Sequence, residues 1–439
     1  MLIGNGRVIT QDKSNPYIEN GAVAIKSNVI LEVGDYNELR EKYRGEKFID
    51  AKGKVIMPGM INAHMHIYSA FARGMSSLGP PPKNFTEILK TLWWRLDKGL
   101  TLEDIKYSAY TTLIDCIKNG VTTVFDHHAS PMAVEGSLFT IGEVSKGLSI
   151  RSCLCYETSD RDGKEIFRKG IKENIDFITA AKTEDLLKGM FGMHASFTLS
   201  DKSLEACRNA ADGLDFGFHI HTAEGIDDLE DSLNNHGMRV VERLMNFGIL
   251  SPKTIAVHCI HVNDAEMEIL KETGANVVHN PESNMGNAVG CSPVIQFMQK
   301  GLTVGLGTDG YTSDMFESIK VGNIIHKHNL KNPNVGFSEI TAMAFENNSK
   351  IAKKHFGKEM GVLKEGAVGD VIILDYNPAT PLNKNNAYGH IVFGMCGSSV
   401  TDTVINGKVI MRNRIIIGID EEKIYSKSRE LAERLWNRI

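Results

Sequence analysis

Residues 55–66 read Val55-Ile-Met-Pro-Gly-Met-Ile-Asn-Ala-His-Met-His66, an apolar segment that ends in two histidines separated by one residue. The apolar and β-branched residues of this segment predict a buried strand. Side chains two positions apart on a strand point to the same face, so the two imidazoles lie side by side. A divalent metal suits such a pair better than packing does, although the bare pattern also fits two surface histidines.

Three later sites and the Pro58-Gly59 turn favour the metal interpretation. His221-Thr-Ala-Glu224 closes an apolar run that starts at Phe216, His258 follows Thr254-Ile-Ala-Val, and Asp309 follows the run from Thr303. Each site places a polar group that can bind a metal at the C-terminal end of a short apolar segment. Catalytic residues occupy that position in a parallel β/α barrel.

Composition limits the class of protein. The chain has 439 residues, and a barrel can take about 250 residues as one unit, so we expect two domains. A net charge of −5 and a pI near 6.3 argue against a nucleic-acid partner. We also expect no membrane contact, because we identify no signal peptide and no long apolar span. The seven scattered cysteines form no CxxC pair and predict free thiols in a cytoplasmic protein.

The alternation of short apolar strands with helical segments predicts an α/β fold, a (β/α)8 TIM barrel over residues 58–361. Ser200 and Asn263 or Asp264 are predicted helix caps, and Gly274 is a predicted helix end. The eight barrel strands are predicted to end near His66, His128, Cys155, His194, His221, His258, His279 and Asp309.

Both ends of the chain differ from the middle, because strand-like runs alternate there with Gly and Asn turns. We expect residues 1–57 and 362–420 to form one small β-sandwich domain, since neither segment can bury two sheet faces alone. Its predicted strands include Val371–Leu374 and Ile391–Phe393. A C-terminal helix over 421–439 is expected to pack on the outside.

The connection from Ser69 to Leu100 is long and contains three prolines and the Trp93-Trp94 pair. Long irregular loops are often lids or substrate-binding elements. A packing excursion or a contact between copies of the chain explains the tryptophan pair equally well.

Taken in order, these motifs resemble the amidohydrolase superfamily, in the cytosine deaminase-like branch that holds guanine deaminase, adenosylhomocysteine deaminase and the atrazine chlorohydrolases. The resemblance spans nearly the whole chain. Its motifs are Pro58-Gly-Met-Ile-Asn-Ala-His-Met-His66, Gly120-Val-Thr-Thr123, His194-Ala-Ser-Phe-Thr198, His221-Thr-Ala-Glu224, His258-Cys-Ile-His261, His279-Asn-Pro-Glu-Ser-Asn284, Gly307-Thr-Asp-Gly310 and Gly366-Ala-Val-Gly-Asp370.

Within that branch the chain is most similar to the SsnA-type aminohydrolases, a group whose substrate is unsettled. That similarity rests on Phe125-Asp-His-His-Ala-Ser-Pro131 and Leu92-Trp-Trp-Arg-Leu-Asp97. Two segments depart from relatives. His194-Ala-Ser-Phe-Thr198 stands where relatives have His-Ala-Pro-Tyr-Thr, and Met285-Gly-Asn-Ala-Val-Gly290 lacks a lysine that relatives often carry. Because both segments face substrate in the family, no relative's substrate transfers directly.

The resemblance implies a metal site of His64, His66, His221 and Asp309, which suits one Zn²⁺ or Fe²⁺ with an open position for water. Binuclear relatives use a carboxylated lysine at the end of the fourth strand, where this chain has Gly192-Met-His194. We therefore predict a mononuclear site.

The resemblance also implies catalytic roles. Glu224 protonates a ring nitrogen as metal-bound hydroxide attacks the adjacent carbon, Asp309 takes the proton of the water, and His258 polarises the attacked group. Further interpretations cover the surrounding residues. His194, His258, Arg73 and His127 are the predicted substrate-binding residues, with His128 an equal candidate to His127, while His219 and His261 are read as structural and Asn280 and Asn284 as shaping their loop.

The predicted function is a metal-dependent aminohydrolase, a deaminase that acts on C–N bonds of a purine-like or pyrimidine-like heterocycle. A chlorohydrolase or a cyclic amide hydrolase would use the same residues, and a catalytically silent metal-binding interaction protein is a further alternative. The expected partners are a small heterocyclic substrate and further copies of the chain, as a homodimer or a higher homo-oligomer.

Overall fold

The computed structural model describes residues 1–76 and 79–439. Within these residues the chain forms eighteen strands, which are β1 Leu2–Ile9, β2 Tyr17–Lys26, β3 Val29–Asp35, β4 Phe48–Asp50, β5 Val55–Pro58, β6 Met60–Met65, β7 Val121–His128, β8 Arg151–Tyr156, β9 Leu187–Gly189, β10 Phe191–Ala195, β11 Phe218–Thr222, β12 Ile255–His258, β13 Asn276–His279, β14 Val304–Leu306, β15 Val371–Leu374, β16 Val400–Ile405, β17 Lys408–Arg412 and β18 Ile415–Ile416.

The same described residues form seventeen α-helices, which are α1 Tyr36–Lys42, α2 Phe85–Ile88, α3 Trp94–Gly99, α4 Leu102–Lys118, α5 Ser137–Leu148, α6 Lys164–Ala181, α7 Asp201–Ala210, α8 Ile226–His236, α9 Val240–Asn246, α10 Asp264–Thr273, α11 Pro281–Gly286, α12 Val294–Gln299, α13 Met315–Leu330, α14 Phe337–Thr341, α15 Asn348–Phe356, α16 Ala387–Phe393 and α17 Glu421–Arg438. Short 3-10 helices lie at Ile67–Ala72, Ser196–Thr198 and Gly397–Ser399, and π-helical turns at Leu89–Trp93 and Ala342–Asn347. None of the helices in the described residues combines the length and apolar character that a membrane crossing requires.

Parallel strands β6 to β14 build the barrel. They pair in two runs, β6-β7-β8-β9 and β10-β11-β12-β13-β14. Isolated bridges between Thr158 and Met193 and between Met65 and Asp309 join the two runs. Because β9 and β10 are separated by Met190 alone, they act together as the fourth barrel strand. The predicted TIM barrel is therefore confirmed, and its eight strands end within three residues of the predicted positions.

A second sheet contains the strands of both chain ends. Its order is β18-β17-β16-β15-β5-β1-β2-β3, with β4 beside β1. The central pairing of β5 with β15 joins the N-terminal and C-terminal segments directly. One face carries the buried cluster around Ile3, Val23 and Ile373, and α1 covers part of the other face. The prediction that both ends build one small β domain is confirmed, and its boundaries at residues 57 and 362 stay a prediction.

The C-terminal helix and two connections complete the fold. Helix α17 buries Leu431 and Leu435, and the indole N–H of Trp436 donates to the carbonyl of Phe71 at 2.8 Å. The predicted strand at Ile391–Phe393 is wrong, because these residues end helix α16, where Ala387 and Ile391 share one buried helical face. The connection from Ser69 to Leu100 is also less irregular than expected. Its residues 85–99 are helical, and residues 77 and 78 lie outside the described part of the chain.

Candidate active site

His64, His66 and His221 meet above the C-terminal ends of β6 and β11, together with Asp309 after β14. Nε2 of His66 lies 3.3 Å from Nε2 of His221 and 3.1 Å from Oδ1 of Asp309. Nε2 of His64 lies 3.8 Å from that same carboxylate oxygen. Four potential metal-binding atoms therefore surround one point.

In each of the three rings, the contact made by Nδ1 determines whether Nε2 presents a lone pair to the cluster. Nδ1–H of His66 donates to the carbonyl of His127, and Nδ1–H of His221 donates to the carbonyl of His194 at 3.0 Å. Nδ1 of His64 lies 2.9 Å from Nε2 of the buried His219. A neutral ring with its proton on Nδ1 presents a lone pair at Nε2, and such outer contacts are typical of metal-binding histidines.

This arrangement fits a divalent cation. Two ligand atoms at about 2.1 Å from a tetrahedral ion lie about 3.4 Å apart, close to the separations found here. Within the described residues Nε2 of His64 is buried without a hydrogen-bond partner, so a cation would satisfy it. Burial holds the pKa of His64 and of His221 well below the ordinary value, and both rings are neutral, as metal ligands must be.

Glu224 and His258 face the metal cluster from the side of β12. Oε2 of Glu224 lies 3.3 Å from Nε2 of His258, which lies 3.6 Å from Oδ2 of Asp309. Oε1 of Glu224 is buried without a hydrogen-bond partner in the described residues. Burial, reinforced by the charge of Asp309, raises the pKa of Glu224 well above its usual range. The raised pKa favours the protonated form of Glu224, next to Nε2 of His258.

Local backbone geometry sets the positions of the His258, Asp309 and Glu224 side chains. His258 and Asp309 have φ of 72° and 55°, the left-handed region that non-glycine residues seldom adopt. The backbone N–H of Ala223 donates to Asp228 at 2.8 Å, and that carboxylate also accepts from the N–H of Phe197 at 2.9 Å. Asp228 in helix α8 therefore fixes the turn that carries Glu224.

A cavity of about 260 Å³ opens above the cluster. Helices α2 and α3 and the π-helical turn between them cover one side with apolar residues, among them Phe85, Leu89 and Trp94. This helical segment, residues 85–99, lines the cavity and forms its lid. The opposite wall carries His66, His221, Glu224 and Asp309, so a ligand would lie between an apolar cover and the polar cluster.

Glu157, which follows β8 directly, is a cavity residue that the sequence reasoning missed. Its Oε1 accepts from Arg161 at 2.8 Å, and its Oε2 lies 3.4 Å from Nδ1 of His127. Against the effect of burial, His194, His127 and Arg161 lower the pKa of Glu157, so the carboxylate is ionised. Its position at the end of the third strand was the available signal, because the same rule identified the other site residues.

The predicted substrate-binding residues separate into two groups. His194 lines the cavity, and its Nδ1–H donates to Thr198 at 2.7 Å. His258 is fully buried beside Glu224. His127 does not line the cavity, because its Nε2–H donates to backbone carbonyls of Met193 and His219 behind the cluster.

Arg73 does not line this cavity, and its role in substrate binding stays a prediction. Its side chain is 71% exposed and pairs with Asp115 at 3.5 Å, on the far side of Trp93. The physical reason is the 3-10 helix at Ile67–Ala72, which turns the chain outward before residue 73.

Comparison with known proteins adds three findings. The model of the amidohydrolase family matches residues 55–410. The 5'-deoxyadenosine deaminase of Methanosarcina mazei is 30% identical over 449 residues, which cover 100% of this chain and 99% of that protein. The 5-methylthioadenosine/S-adenosylhomocysteine deaminase of Pelotomaculum thermopropionicum is also 30% identical, over 444 residues that cover 100% of this chain and 99% of that one.

Among solved structures, an adenosine deaminase from Xanthomonas campestris with bound zinc superposes with a TM-score of 0.87. The superposition covers 99% of this chain and 98% of that one at 22% sequence identity, so it bears on the fold.

Proposed function

The chain belongs to the amidohydrolase family and is a hydrolase of carbon–nitrogen bonds, and we propose that it deaminates adenosine nucleosides whose 5′ substituent carries no negative charge. The observation that carries this proposal is the pair of Glu224 and His258 beside the metal cluster. The full-length similarity to two nucleoside deaminases supports the substrate class. The closer relation to SsnA-type aminohydrolases stays a prediction.

His64, His66, His221 and Asp309 are the residues that would hold the metal, and we propose one Zn²⁺ or Fe²⁺ per chain. A divalent ion bound there lowers the pKa of a water molecule towards ~7, so that a nucleophile is available at neutral pH. The mononuclear stoichiometry rests on the absence of a lysine from the end of the fourth strand, where the chain reads Gly192-Met-His194.

Different side chains around the cluster donate and accept protons during the proposed reaction. The protonated carboxyl of Glu224 donates to the ring nitrogen next to the attacked carbon, which makes that carbon more electrophilic. Nε2 of His258 and Oδ2 of Asp309, 3.6 Å apart, accept the proton that the attacking water loses. Ser283 holds this carboxylate in place, because its hydroxyl donates to Oδ2 of Asp309 at 2.8 Å. The group that took the proton of the water then returns it to the amino group, the carbon–nitrogen bond breaks, and the nitrogen leaves as ammonia.

The charges around the cavity support an uncharged substituent. No lysine or arginine lines it among the described residues, whereas five carboxyl groups do: those of Glu157, Glu224, Asp227, Asp228 and Asp309. The nearby Arg161 is already engaged, since it binds Glu157 at 2.8 Å and Asp97 at 3.1 Å. A carboxylate or phosphate on the substituent would therefore approach the ionised Glu157 and meet no unpaired lysine or arginine on the described cavity wall.

The test is ammonia release from a panel of heterocycles. We expect turnover of 5′-deoxyadenosine and 5′-methylthioadenosine, and a much lower kcat/KM for S-adenosylhomocysteine and for adenosine 5′-monophosphate. Guanine, cytosine and a chloro-triazine test the alternative activities, and the Glu224→Gln protein is the control for contaminating deaminase. Ammonia release from pyrimidines or guanine alone would contradict the nucleoside proposal. A metal-loaded protein inactive on the whole panel would favour the silent scaffold.

Two further assignments concern the location and the assembly of the protein. All seven cysteines are unpaired thiols, which suits a reducing compartment, and we propose a cytoplasmic location. The expected homodimer or higher oligomer stays a prediction that light scattering on the purified protein tests.

A further inference from the structure

The catalytic imidazole of His258 is the first member of a chain of buried polar side chains that leads away from the cavity. His258 Nδ1 lies 2.8 Å from Oδ1 of Asn284, and Nδ2 of Asn284 lies 3.5 Å from Nδ1 of His279. Nε2 of His279 lies 3.1 Å from Nε2 of His326. Nδ1 of His326 lies 3.5 Å from the half-buried thiol of Cys291. This series of hydrogen-bonded side chains thus runs from β12 through α11 and β13 to helix α13.

With the amide of Asn284 oriented as it is in the structure, one direction of donation satisfies every member. The amide nitrogen of Asn284 can only donate, so Nδ1 of His279 must accept. A neutral His279 then carries its proton on Nε2 and donates to His326. His326 in turn carries its proton on Nδ1, which donates to the sulfur of Cys291. At the other end the amide oxygen of Asn284 can only accept, so Nδ1 of His258 carries the proton.

Burial keeps the two inner histidines neutral, as this argument requires. His279 and His326 are 1% and 2% exposed. Burial lowers the pKa of His326 to about 4 and holds the pKa of His279 well below its ordinary value. A neutral imidazole has one donor and one acceptor, so each ring passes the direction of donation to the next.

We infer that His279 and His326 are positioning residues, which act through Asn284 to hold His258 with its proton on Nδ1 and its Nε2 free to accept a proton. This inference rests on the proposed role of His258 at the reacting centre. Neither ring lines the cavity, and neither belongs to the metal cluster. Their effect on the reaction is therefore confined to the tautomer and orientation of His258.

A pair of substitutions at residue 326 separates hydrogen bonding from packing. Leucine at this position fills space but accepts no hydrogen bond, so His326→Leu leaves Nε2–H of His279 without a partner. That loss lets His279 and the amide of Asn284 reverse, and His258 then loses its acceptor. His326→Gln restores an acceptor for His279. His328→Leu, at an exposed histidine on the same helix, is the matched control.

The first readout needs no substrate. In Zn²⁺-loaded protein labelled with ¹⁵N-histidine, ring-nitrogen resonances distinguish a protonated from an unprotonated nitrogen. We expect His258 to show a protonated Nδ1 and an unprotonated Nε2 in the wild type, in His326→Gln and in His328→Leu. In His326→Leu we expect both tautomers. The second readout is kinetic, and His326→Leu should lower kcat by about 10- to 100-fold, with metal content and KM unchanged.

The inference is overturned if His326→Leu keeps the wild-type His258 resonances and kcat, or if His326→Gln is as impaired as His326→Leu. Failure of the proposed function gives a different result. If the wild type shows the expected resonances but releases no ammonia from any heterocycle, the chain of hydrogen bonds stands and the assigned reaction does not.

Discussion

Nε2 of His66 and Nε2 of His221 lie 3.3 Å apart, and each ring donates its other N–H to a backbone carbonyl. Two lone pairs therefore face each other across a buried gap that Asp309 also borders. Such an arrangement is unfavourable unless a positive charge lies between the acceptors, because buried polar atoms need partners. A metal ion bound among these side chains would supply that charge.

Purified protein should accordingly carry about one Zn²⁺ or Fe²⁺ per chain. Removal of the metal with a chelator should abolish ammonia release, and readdition should restore it. The thermal midpoint should fall on removal, since four buried acceptors lose their common partner. Elemental analysis before and after dialysis measures the stoichiometry. Two tightly bound ions per chain would contradict the mononuclear assignment.

Glu224→Gln tests the proton donor without disturbing the metal. The amide keeps the shape of the side chain but cannot protonate the ring nitrogen, so kcat should fall by about 10²-fold or more. Metal content should stay at the wild-type level, because Glu224 is not among the four ligands. Asp227→Asn, a change at a half-buried cavity carboxylate near the lid, is the control. Near-normal turnover by Glu224→Gln would remove this residue from the mechanism.

The sequence predicted the structure best where a short apolar run ends in a residue that can bind a metal or transfer a proton. Each barrel strand is a short apolar run, and several runs end in a histidine or an aspartate, so strand ends such as His258 could be placed from the pattern alone. The shared sheet of the chain ends was predictable for another reason, since both ends carry strand-like runs and neither end can bury two sheet faces alone.

The missed features depend on contacts between residues far apart in the chain. Arg161 joins Glu157 to Asp97 of the lid, a three-part contact across 64 residues that no local pattern shows. His127 resembles a site residue in sequence, yet its Nε2–H is used by two carbonyls on neighbouring strands. The helical residues 85–99 are an exception, because Asn84 caps their first helix by accepting from the backbone N–H of Glu87, a local signal that the sequence analysis did not use.

The lid should contribute to substrate affinity through Trp94. Its ring forms part of the cavity wall and lies 4.8 Å from the guanidinium of Arg161 and 6.0 Å from the ring of His194. Trp94→Ala should raise KM by about tenfold, equivalent to ~1.4 kcal/mol of lost binding. Arg73→Ala is the control, because this exposed side chain lies outside the cavity and should leave KM unchanged. If steady-state kinetics showed a raised KM for Arg73→Ala and an unchanged KM for Trp94→Ala, then Arg73 would contact the substrate and Trp94 would not.

Gly307 should be the most sensitive glycine near the metal ligands. A Cβ at this position would lie 2.5 Å from Oδ1 of Asn280 and 2.7 Å from the carbonyl oxygen of His64. That carbonyl accepts from the backbone N–H groups of Thr308 and Asp309, at 3.0 Å each, and so ties two metal ligands together. Because the obstructing atoms include backbone, Gly307→Ala should separate His64 from Asp309 and cost ~1–3 kcal/mol of stability.

Gly147→Ala is the matched control. This glycine lies in helix α5, and a Cβ there meets no atom within 4 Å. Alanine at a free helical position should leave metal content unchanged and raise stability by ~0.5–1 kcal/mol. The thermal midpoints of the two variants should therefore move in opposite directions, and only Gly307→Ala should lose metal by elemental analysis. A Gly307→Ala protein that keeps its full metal content and melts like the wild type would show that the carbonyl of His64 does not hold Asp309 in place.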